Sequence, residues 1–562
     1  MKVVTVQQMR ALEAAAGAAG ISYSEMMERA GQAVAQAVRE LGPVEGARLL
    51  VLVGPGNNGG DGLVAARALH DSGASVTCYI WRRDTTNDHN YQLVTERSIE
   101  VIRQQEDAGL ARFRDLVANS KVIVDALLGT GASGPPRGDL GELLLALQES
   151  LSLLGPTPPD LRCLDWPQTL QRRRPLVVAV DVPSGLNADT GEADPLTPRA
   201  DLTVTFGFPK VGLFRFPGAA LVGALRVAAI GIPPALAADV LLEVAGPAMV
   251  RPLLPDRPPD ANKGTFGKVM VVGGSINYTG APYMAAMGAA RVGAGLVTLA
   301  VPQPIYPILA AKATETTFLL LPSDMGALTP AAVKVLGEAF AGYKALLLGP
   351  GLGREKSTVD FVSQLLGLRP AGRRVQLGFV ARETVEEARP YELPAAVVDA
   401  DGLNALADVP EWWKQTSGRL VLTPHPGELA RLRTTDAKAI QADRLAAASE
   451  AASAWNQVVV LKGAYTVVAA PDGRATLLPF ANPALASAGT GDVLAGAIAG
   501  FLAQGLAPEP AAIVGAYVHG LAGELARKAM GEAGALAGDL LPLVPVAIRQ
   551  LRDSEELPAC PA

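Results

Sequence analysis

Nine residues, Gly54 to Gly62, read GPGNNGGDG and constrain the fold of this chain more than any other stretch. They follow an apolar run, Leu49–Val53, and precede a helix-like run, Leu63–Leu69, so we predict a strand, a tight loop and a helix. The five glycines of this loop allow backbone N–H groups to face inward without interference from Cβ atoms. The helix N-terminus behind them favours an anion or an electron-rich ligand. Because a plain turn needs one or two glycines, we interpret the segment as a binding loop.

The composition limits the classes of protein that fit. The chain has 562 residues, 49% of them hydrophobic and 19% charged, which is typical of a globular protein with more than one core. Its net charge is −6 and it has no basic stripe, so nucleic acid is not expected as a partner. The three cysteines lie far apart and fit a reducing compartment. No signal-peptide core and no membrane-spanning apolar run is found, so we predict a cytoplasmic protein without a membrane partner.

Apolar runs alternate with helical patterns in two successive parts of the chain, which predicts two α/β domains with largely parallel sheets. We predict a first domain over residues 1–235, a proline-rich linker over 236–262 and a second domain over 263–562. Insertions are predicted at 151–174 and 372–392. The predicted strands of the first domain are Leu49–Val53, Ser75–Trp81, Lys121–Asp125, Leu176–Asp181, Leu202–Phe206 and Leu225–Ile230. Those of the second are Lys268–Gly273, Leu296–Val301, Phe318–Leu321, Ala345–Leu348, Ala396–Asp399, Leu420–Thr423 and Val458–Lys462.

Polar loops follow three strands of the first domain: GPGNNGGDG, DALLGTGASGPPRG from Asp125, and DVPSG from Asp181. A doubly wound sheet brings such loops together at its carboxyl edge. Asn58, Asp125 and Ser184 offer hard oxygen ligands, and their modest charge suits a monovalent cation better than Ca²⁺. In the simpler interpretation, Asn58 and Ser184 cap helices and Asp125 accepts hydrogen bonds from a backbone turn.

These loops resemble those of NAD(P)H-hydrate epimerases, over about Met1 to Pro233. The resemblance implies a Rossmann-like sandwich and a potassium ion held by Asn58, Asp125 and Ser184. It also implies that hydrated NADH or NADPH is bound and that its R and S epimers are interconverted. Either Asp125 or Asp181 would be the base, and the sequence leaves this choice open. The implied substrate-binding residues are Asn57, Asn58, Gly59, Gly60, Asp61, Gly129, Thr130, Gly131, Ala132, Ser133, Gly134, Pro135 and Asp181.

The second domain contains SAGTGDVL, Ser487–Leu494, before an alanine-rich helix. A loop of small residues that opens a helix forms an oxyanion site from backbone N–H groups. Asp492 lies in the first helical turn, where it can deprotonate a hydroxyl that attacks a phosphoryl group. Alternatively, Asp492 only complements the helix dipole. KGAYT at Lys462, LGPGLG at Leu348 and TPHPGE at Thr423 also follow predicted strands, and we predict that His425 contacts ligand.

Together with KGTFGKVMVVGGS, YTGAP and VVDADGLNAL, these segments resemble the ribokinase-like, ADP-dependent NAD(P)H-hydrate dehydratases over about Arg251 to Leu551. The resemblance implies a ribokinase-like α/β sandwich that phosphorylates the ring hydroxyl and then eliminates phosphate. Magnesium is expected on the phosphates. The hydrated dinucleotide is expected to contact Ala281, Gly353, His425 and Asp492. The adenine nucleotide is expected to contact Lys462, Gly463, Ala464, Tyr465, Thr466 and Gly491.

The leading hypothesis is therefore a bifunctional enzyme that epimerises hydrated NAD(P)H and dehydrates the S form, with release of AMP and phosphate. Its partners would be hydrated NADH or NADPH and ADP, and a homo-oligomer is expected. The alternative is a kinase for a vitamin precursor, joined to a nucleotide-binding first domain without catalytic activity. The preferences for NADH or NADPH and for ADP or ATP stay open, as do the roles of the two insertions.

Overall fold

The computed structural model describes residues 1–131, 134–154, 174–368, 391–416 and 419–553. Most of both predicted insertions, and the predicted site residues Ala132 and Ser133, lie outside the described residues. The chain divides into two compact units, Lys2–Val240 and a second that begins at Leu241. Among the described residues, no helix combines the length and the apolar character needed to span a bilayer.

The first unit is built on one parallel sheet. In the described part of the chain its strands lie in the order β3-β2-β1-β4-β5-β6-β7. The order reverses between β1 and β4, which is where doubly wound sheets bind ligands. The strands are β1 (Arg48–Val53), β2 (Ser75–Ile80), β3 (Glu100–Arg103), β4 (Val122–Ala126), β5 (Leu176–Val180), β6 (Leu202–Phe206) and β7 (Ala224–Ala228).

Helices of the first unit cover the sheet. One apolar cluster includes Val34, Val51 and Leu63, and a second includes Leu52, Phe113 and Leu147. Since neighbouring positions of β1 point to different clusters, both faces of the sheet are buried, as expected for a strand that is apolar throughout. The helices are α1 (Val6–Ala18), α2 (Tyr23–Glu40), α3 (Asn57–Asp71), α4 (His89–Glu96), α5 (Ala111–Asn119) and α6 (Asp139–Leu153).

The second unit has a longer sheet, in the order β11-β10-β9-β14-β15-β16-β17-β18-β19-β8 among the described residues. It is parallel from β11 to β17, and β18 is antiparallel to both β17 and β19. Strands β8–β13 are Leu242–Val244, Lys268–Val272, Leu296–Pro302, Thr317–Leu321, Ser323–Asp324 and Ala327–Leu328. Strands β14–β19 are Ala345–Leu348, Ala395–Val398, Leu420–Leu422, Val458–Leu461, Val467–Ala469 and Ala475–Leu477.

The helices of the second unit pack on this sheet, and α16 also packs against α8 through small residues such as Gly496 and Ala285. Helices α7–α12 are Pro247–Val250, Gly280–Arg291, Tyr306–Ala310, Ala332–Ala339, Lys356–Leu366 and Asp401–Ala407. Helices α13–α18 are Pro426–Leu432, Ala437–Ala442, Arg444–Trp455, Thr490–Ala503, Pro508–Met530 and Ala537–Asp553.

The predicted α/β class and all predicted sheet strands are confirmed, and several other elements differ. The segment from Thr5 to Leu41 forms two helices, and Gly20 adopts a φ of +99° between them. Strand β3 was not predicted, since its polar sequence EVIR at a sheet edge gives no apolar run. Residues 236–262 were predicted as a linker, but Leu242–Val244 pairs with β19 and Val250 is fully buried.

Candidate functional site

The site of the first unit lies at the carboxyl edge of its sheet, where β1 and β4 are neighbours. Leu52 of β1 pairs in register with Asp125 of β4, and the GPGNNGGDG loop leaves β1 at this level. Helix α3 begins at Asn57 and its N-cap residue, Gly56, makes no side-chain capping bond. The first N–H groups of α3 are therefore directed to the edge at which Asp125 and Ser184 lie.

Asn58, Asp125 and Ser184 meet in one hydrogen-bonded cluster. Ser184 donates to Asp125 through both its hydroxyl, at 2.6 Å, and its backbone N–H, at 2.9 Å. Asn58 Nδ2 donates to the carbonyl oxygens of Leu128, at 2.8 Å, and Val180, at 2.9 Å. Neither Asn58 nor Ser184 caps a helix, so that part of the simpler interpretation is wrong, although Asp125 does accept from the Leu127 N–H.

Asp125 is a fully buried carboxylate without a basic neighbour among the described residues. Burial raises its pKa, and the hydrogen bonds from Ser184 and Leu127 act in the opposite direction. The Asp125 carboxylate, the Ser184 hydroxyl and the Asn58 amide carry oxygen atoms of the kind that bind hard cations.

A cavity of about 710 Å³ opens beside this cluster. Its lining includes the predicted residues Asn57, Asn58, Asp61, Gly129, Thr130, Gly131 and Asp181. Asp181 follows β5, and its Oδ1 accepts hydrogen bonds from Lys210 Nζ at 2.5 Å, Thr205 Oγ1 at 2.9 Å and the Phe206 N–H at 3.2 Å. Lys210 is 1% exposed, so this ion pair is buried at the cavity wall.

Other predicted residues of the first unit lie around the cavity without lining it. Gly59 packs on the Gly54 carbonyl and Arg83, and Gly60 packs on Met27. Gly134 and Pro135 line a separate cavity of about 280 Å³, next to Gly185. The glycines thus allow close packing, and the ligand-facing groups are mainly those of Asn57, Asn58, Asp61 and Asp181.

The second unit has its own cluster at the carboxyl edge of β15, β16 and β17. Lys462, directly after β17, bonds Asp399 Oδ1 at 2.6 Å, and its Nζ lies 3.8 Å from Glu428 Oε2. Asp399 is 1% exposed and accepts a further hydrogen bond from Thr423 Oγ1 at 2.8 Å. Burial acts to lower the pKa of Lys462, but Asp399, Glu428 and Asp492 together raise it above its ordinary value. Lys462 is therefore a fixed cation at neutral pH.

Asp492 lies in the first turn of α16, beside Lys462. A Cβ atom added to Gly491 would be 3.5 Å from Lys462 Nζ, so the first turn of α16 lies close to the lysine. Burial raises the pKa of Asp492 to about 7, the charge of Asp399 adds to this, and Lys462 opposes it. A carboxyl group that titrates near neutral pH is suited to accept and release a proton during catalysis.

His425 has a defined structural role in addition to any contact with ligand. Its Nδ1 accepts from the N–H groups of Gly427 and Glu428, at 3.0 and 3.3 Å, and Glu428 accepts from the His425 N–H at 2.8 Å. This capping box begins α13, and it requires the tautomer whose proton is on Nε2. The His425 side chain is 56% exposed, so its Nε2 edge is still accessible.

The remaining predicted residues lie on neighbouring loops of the second unit. The Gly353 N–H donates to Asp401 Oδ2 at 3.0 Å, and a Cβ atom at Gly351 would contact Tyr278 and Ala281. The loop that holds Gly463, Ala464, Tyr465 and Thr466 leaves β17 after Lys462. Arg444 supports this loop through hydrogen bonds to the carbonyls of Leu461 and Lys462. All the predicted loops of this unit thus leave the same edge of the sheet.

Several residues of the two sites were missed by sequence reasoning. Glu13 and Lys210 line the cavity of the first unit, and Asp399 holds Lys462 in the second. Lys210 lies in the FPK turn after β6, where nothing in the sequence distinguishes it from a surface lysine. Asp399 follows an apolar run, as Asp125 and Asp181 do, so this pattern could have identified Asp399 from the sequence.

The fold and the two sites define a two-unit α/β enzyme with one site at the carboxyl edge of each sheet. Comparison with protein-family models matches residues 269–545 to NAD(P)H-hydrate dehydratase and residues 23–212 to the YjeF-related protein N-terminus. The bifunctional NAD(P)H-hydrate repair enzyme Nnr of Moorella thermoacetica is 39% identical over 566 residues, covering 99% of this chain and 98% of the relative. The protein of the same name from Thermofilum pendens is 37% identical, again covering 99% and 98%.

The chain belongs to the family of bifunctional NAD(P)H-hydrate repair enzymes, so the predicted resemblance is confirmed over both units. A solved structure of the ADP/ATP-dependent NAD(P)H-hydrate dehydratase from Bacillus subtilis, co-crystallised with ATP and Mg²⁺, is 29% identical. That likeness covers 55% of this chain and 98% of the other, with a TM-score of 0.44. Because the full-length relatives are repair enzymes, the alternative of a vitamin-precursor kinase is not supported.

Proposed function

We propose that the first unit interconverts the R and S epimers of hydrated NADH and NADPH, and that the second unit dehydrates the S form with ADP. Residues up to about 235 would form the epimerase part and residues from about 263 the dehydratase part. The observation that supports this proposal is the presence of two buried clusters of charged side chains on one chain. Asp181 with Lys210 faces a cavity in the first unit, and Asp492 adjoins Lys462 in the second.

Asp181 is the better candidate for the base of epimerisation. The sequence left a choice between Asp125 and Asp181. Asp181 lines the cavity, whereas Asp125 is 0% exposed and both of its oxygens already accept hydrogen bonds from Ser184. A base must reach the proton that it abstracts, so we assign this role to Asp181 and a structural role to Asp125.

We assign a potassium site to Asn58, Asp125 and Ser184. Support comes from the buried Asp125 carboxylate, which has no basic neighbour among the described residues and needs a countercharge. When bound, the ion would supply this charge and hold the loops after β1, β4 and β5 together. Hydrated dinucleotide would then lie against Asn57, Asp61 and Gly129–Gly131 in the cavity.

In the second unit, Asp492 would take the proton of the ring hydroxyl as this oxygen attacks the terminal phosphoryl group of ADP. Lys462 and the first N–H groups of α16 would bind the phosphates, and loss of phosphate from the ring would then restore NADH or NADPH. Among the described residues, no group of three or more His, Cys, Asp or Glu side chains is placed to hold a metal ion. Magnesium would be held on the nucleotide phosphates, where it would neutralise charge.

A coupled assay tests the proposal. Full-length protein is incubated with mixed R and S epimers of hydrated NADH, ADP, Mg²⁺ and K⁺, and absorbance of reduced nicotinamide is recorded. We expect complete recovery of NADH, with AMP and phosphate in equal amounts. If only the S fraction is recovered, the first unit is not an epimerase. A stable phosphorylated product would show that the second unit is a kinase instead. The cytoplasmic location and the homo-oligomer stay predictions, and the nucleotide preferences stay open.

A further inference from the structure

Three carboxyl groups, Glu13, Asp61 and Asp181, line the cavity of the first unit together with two cations, Lys210 and Arg10, and the phenol of Tyr23. The carboxyl groups come from α1, from α3 and from the loop after β5. Because it is costly to bury three carboxylates beside two cations, one of the carboxyl groups is expected to hold a proton.

The surroundings of Asp61 and Asp181 differ sharply. Lys210, Thr205 and the Phe206 N–H all donate to Asp181, which stabilises its charged form. The Asp61 side chain is 7% exposed and has no hydrogen-bond donor among the described residues. Asp125 lies outside the cavity lining, and Glu13 is more accessible than Asp61.

The charges around Asp61 act in the same direction as its burial. Burial raises the pKa of Asp61 well above its ordinary value, and the carboxylates of Asp181 and Glu13 raise it further. Lys210 and Arg83 oppose this effect and are the weaker contributions. Asp181 is paired with Lys210 and Asp61 has no such partner in the described part of the chain, and two carboxyl groups in contrasting surroundings are the usual arrangement of a general acid and a general base.

We propose that Asp61 is a catalytic residue, the general acid of epimerisation, an assignment that rests on the proposed function of the first unit. Asp61 gives its proton to the hydroxyl oxygen on the hydrated ring carbon. The C–O bond breaks while the lone pair of the adjacent ring nitrogen forms a C=N bond, and water leaves. A water molecule then attacks the same carbon from the opposite face, and the C=N electron pair returns to nitrogen.

The proton that this second water loses passes to Asp181, which is the base. At this point Asp61 is ionised and Asp181 is protonated. The starting state is restored when one proton moves from Asp181 to Asp61 through water in the cavity. In the reverse reaction the two groups exchange roles, so that Asp181 is the acid and Asp61 is the base. The step consumes no oxidant, reductant or nucleotide, so epimerisation should proceed without ADP.

The test uses the full-length protein and purified R epimer of hydrated NADH, with K⁺ present and ADP absent. Conversion to the S epimer is followed by chromatography and corrected for the uncatalysed rate. We expect Asp61→Asn, which keeps the shape but has no proton to give, to lower kcat about 10²- to 10³-fold with little change in KM. Asp61→Glu should restore part of the rate. Asp71→Asn, an exposed change on the same helix, is the matched control and should leave kcat unchanged.

The outcomes separate the two proposals. If the wild-type protein does not accelerate epimerisation, the proposed function of the first unit fails. If it does and Asp61→Asn keeps its kcat within about threefold, the assignment of Asp61 is overturned. The wild-type pH profile decides the question even if the variant does not fold. Because the protonated acid is used, kcat must fall as pH rises through the raised pKa of Asp61, and a kcat without any fall on the alkaline side contradicts the proposal.

Discussion

The Ser184 hydroxyl donates a 2.6 Å hydrogen bond to Asp125, although 59 residues separate them in the chain. The contact exists because β4 and β5 are adjacent and Asp125 pairs in register with Ala179. The loop after β5 therefore folds over the end of β4, and hydrogen bonds to Leu128 link Ser184 to Asn58 of α3. Single substitutions of Asn58 and Ser184 can therefore test the proposed cation site.

We expect Asn58→Ala and Ser184→Ala to weaken the dependence of epimerisation on K⁺, because each removes an oxygen from the proposed ligand set. The half-saturating K⁺ concentration, measured with R epimer and no ADP, should rise at least about tenfold, equivalent to about 1.4 kcal/mol of lost binding free energy. Ser120→Ala, which removes a helix-terminal hydroxyl away from the site, is the control. An unchanged K⁺ response in both site variants would contradict the ion assignment.

Asp492→Asn should abolish dehydration and keep epimerisation. In the wild-type protein the rate of dehydration of the S epimer should rise with pH and level off above about 7, because Asp492 acts as a base only when ionised. The loss in kcat should be about 10²- to 10⁴-fold. Initial rates of NADH formation from pH 5 to 9 provide the measurement, and a rate that is level across this range would rule out Asp492 as the titrating base.

The same carboxyl group should make the stability of the second unit depend on pH. The pKa of Asp492 is raised to about 7 in the folded protein, so its contribution to stability is fully present below its unfolded pKa near 4. That contribution is lost as pH rises through 7. Between pH 4 and 8 the free energy of unfolding of Asp492→Asn, relative to that of wild type, should therefore increase by on the order of 4 kcal/mol. Denaturant unfolding of both proteins at the two pH values measures this, and an equal response to pH would refute it.

Lys210→Met should destabilise the first unit by about 3–5 kcal/mol, because it leaves the buried Asp181 carboxylate without its cation. The double variant Lys210→Met with Asp181→Asn should recover most of this loss, since no buried charge then stays unpaired. Denaturant unfolding of the single and double variants forms a mutant cycle. Simple additivity of the two single effects would show that the pair is not coupled.

Alanine substitutions at two glycines of the GPGNNGGDG segment should differ in their effects on stability and epimerisation. A Cβ atom at Gly59 would clash with the Gly54 carbonyl oxygen, whereas one at Gly56 would meet no atom within 4 Å. Gly59→Ala should lower stability by about 1–3 kcal/mol and reduce epimerisation, and Gly56→Ala should have little effect on either. Thermal unfolding and epimerisation rates of the two variants, prepared in parallel, test this, and equal behaviour would mean that the loop is less tightly packed than described.

Local sequence predicted the strands of both sheets well. Runs such as Leu49–Val53 and Val458–Leu461 are buried on both faces, and an apolar run reports this burial directly. The loops after these strands carry glycine and polar residues in recognisable order, so candidate site residues could be named from them. Strand β3, at an edge of the first sheet, and strand β8, at an edge of the second, were missed. Edge strands with polar residues do not show the apolar run that identifies a buried strand.

By itself the sequence determined which segments form strands, which loops leave their carboxyl ends and which family these loops resemble. Only the tertiary structure decided which side chains meet. Lys210 joins Asp181 across 29 residues and Lys462 joins Asp399 across 63, and the order of the strands brings each pair together. The tertiary structure also decided that Asp125 is fully buried, while Asp61 and Asp181 line the cavity. Burial and protonation depend on neighbours from distant segments, and periodicity along the chain reports only what each segment prefers.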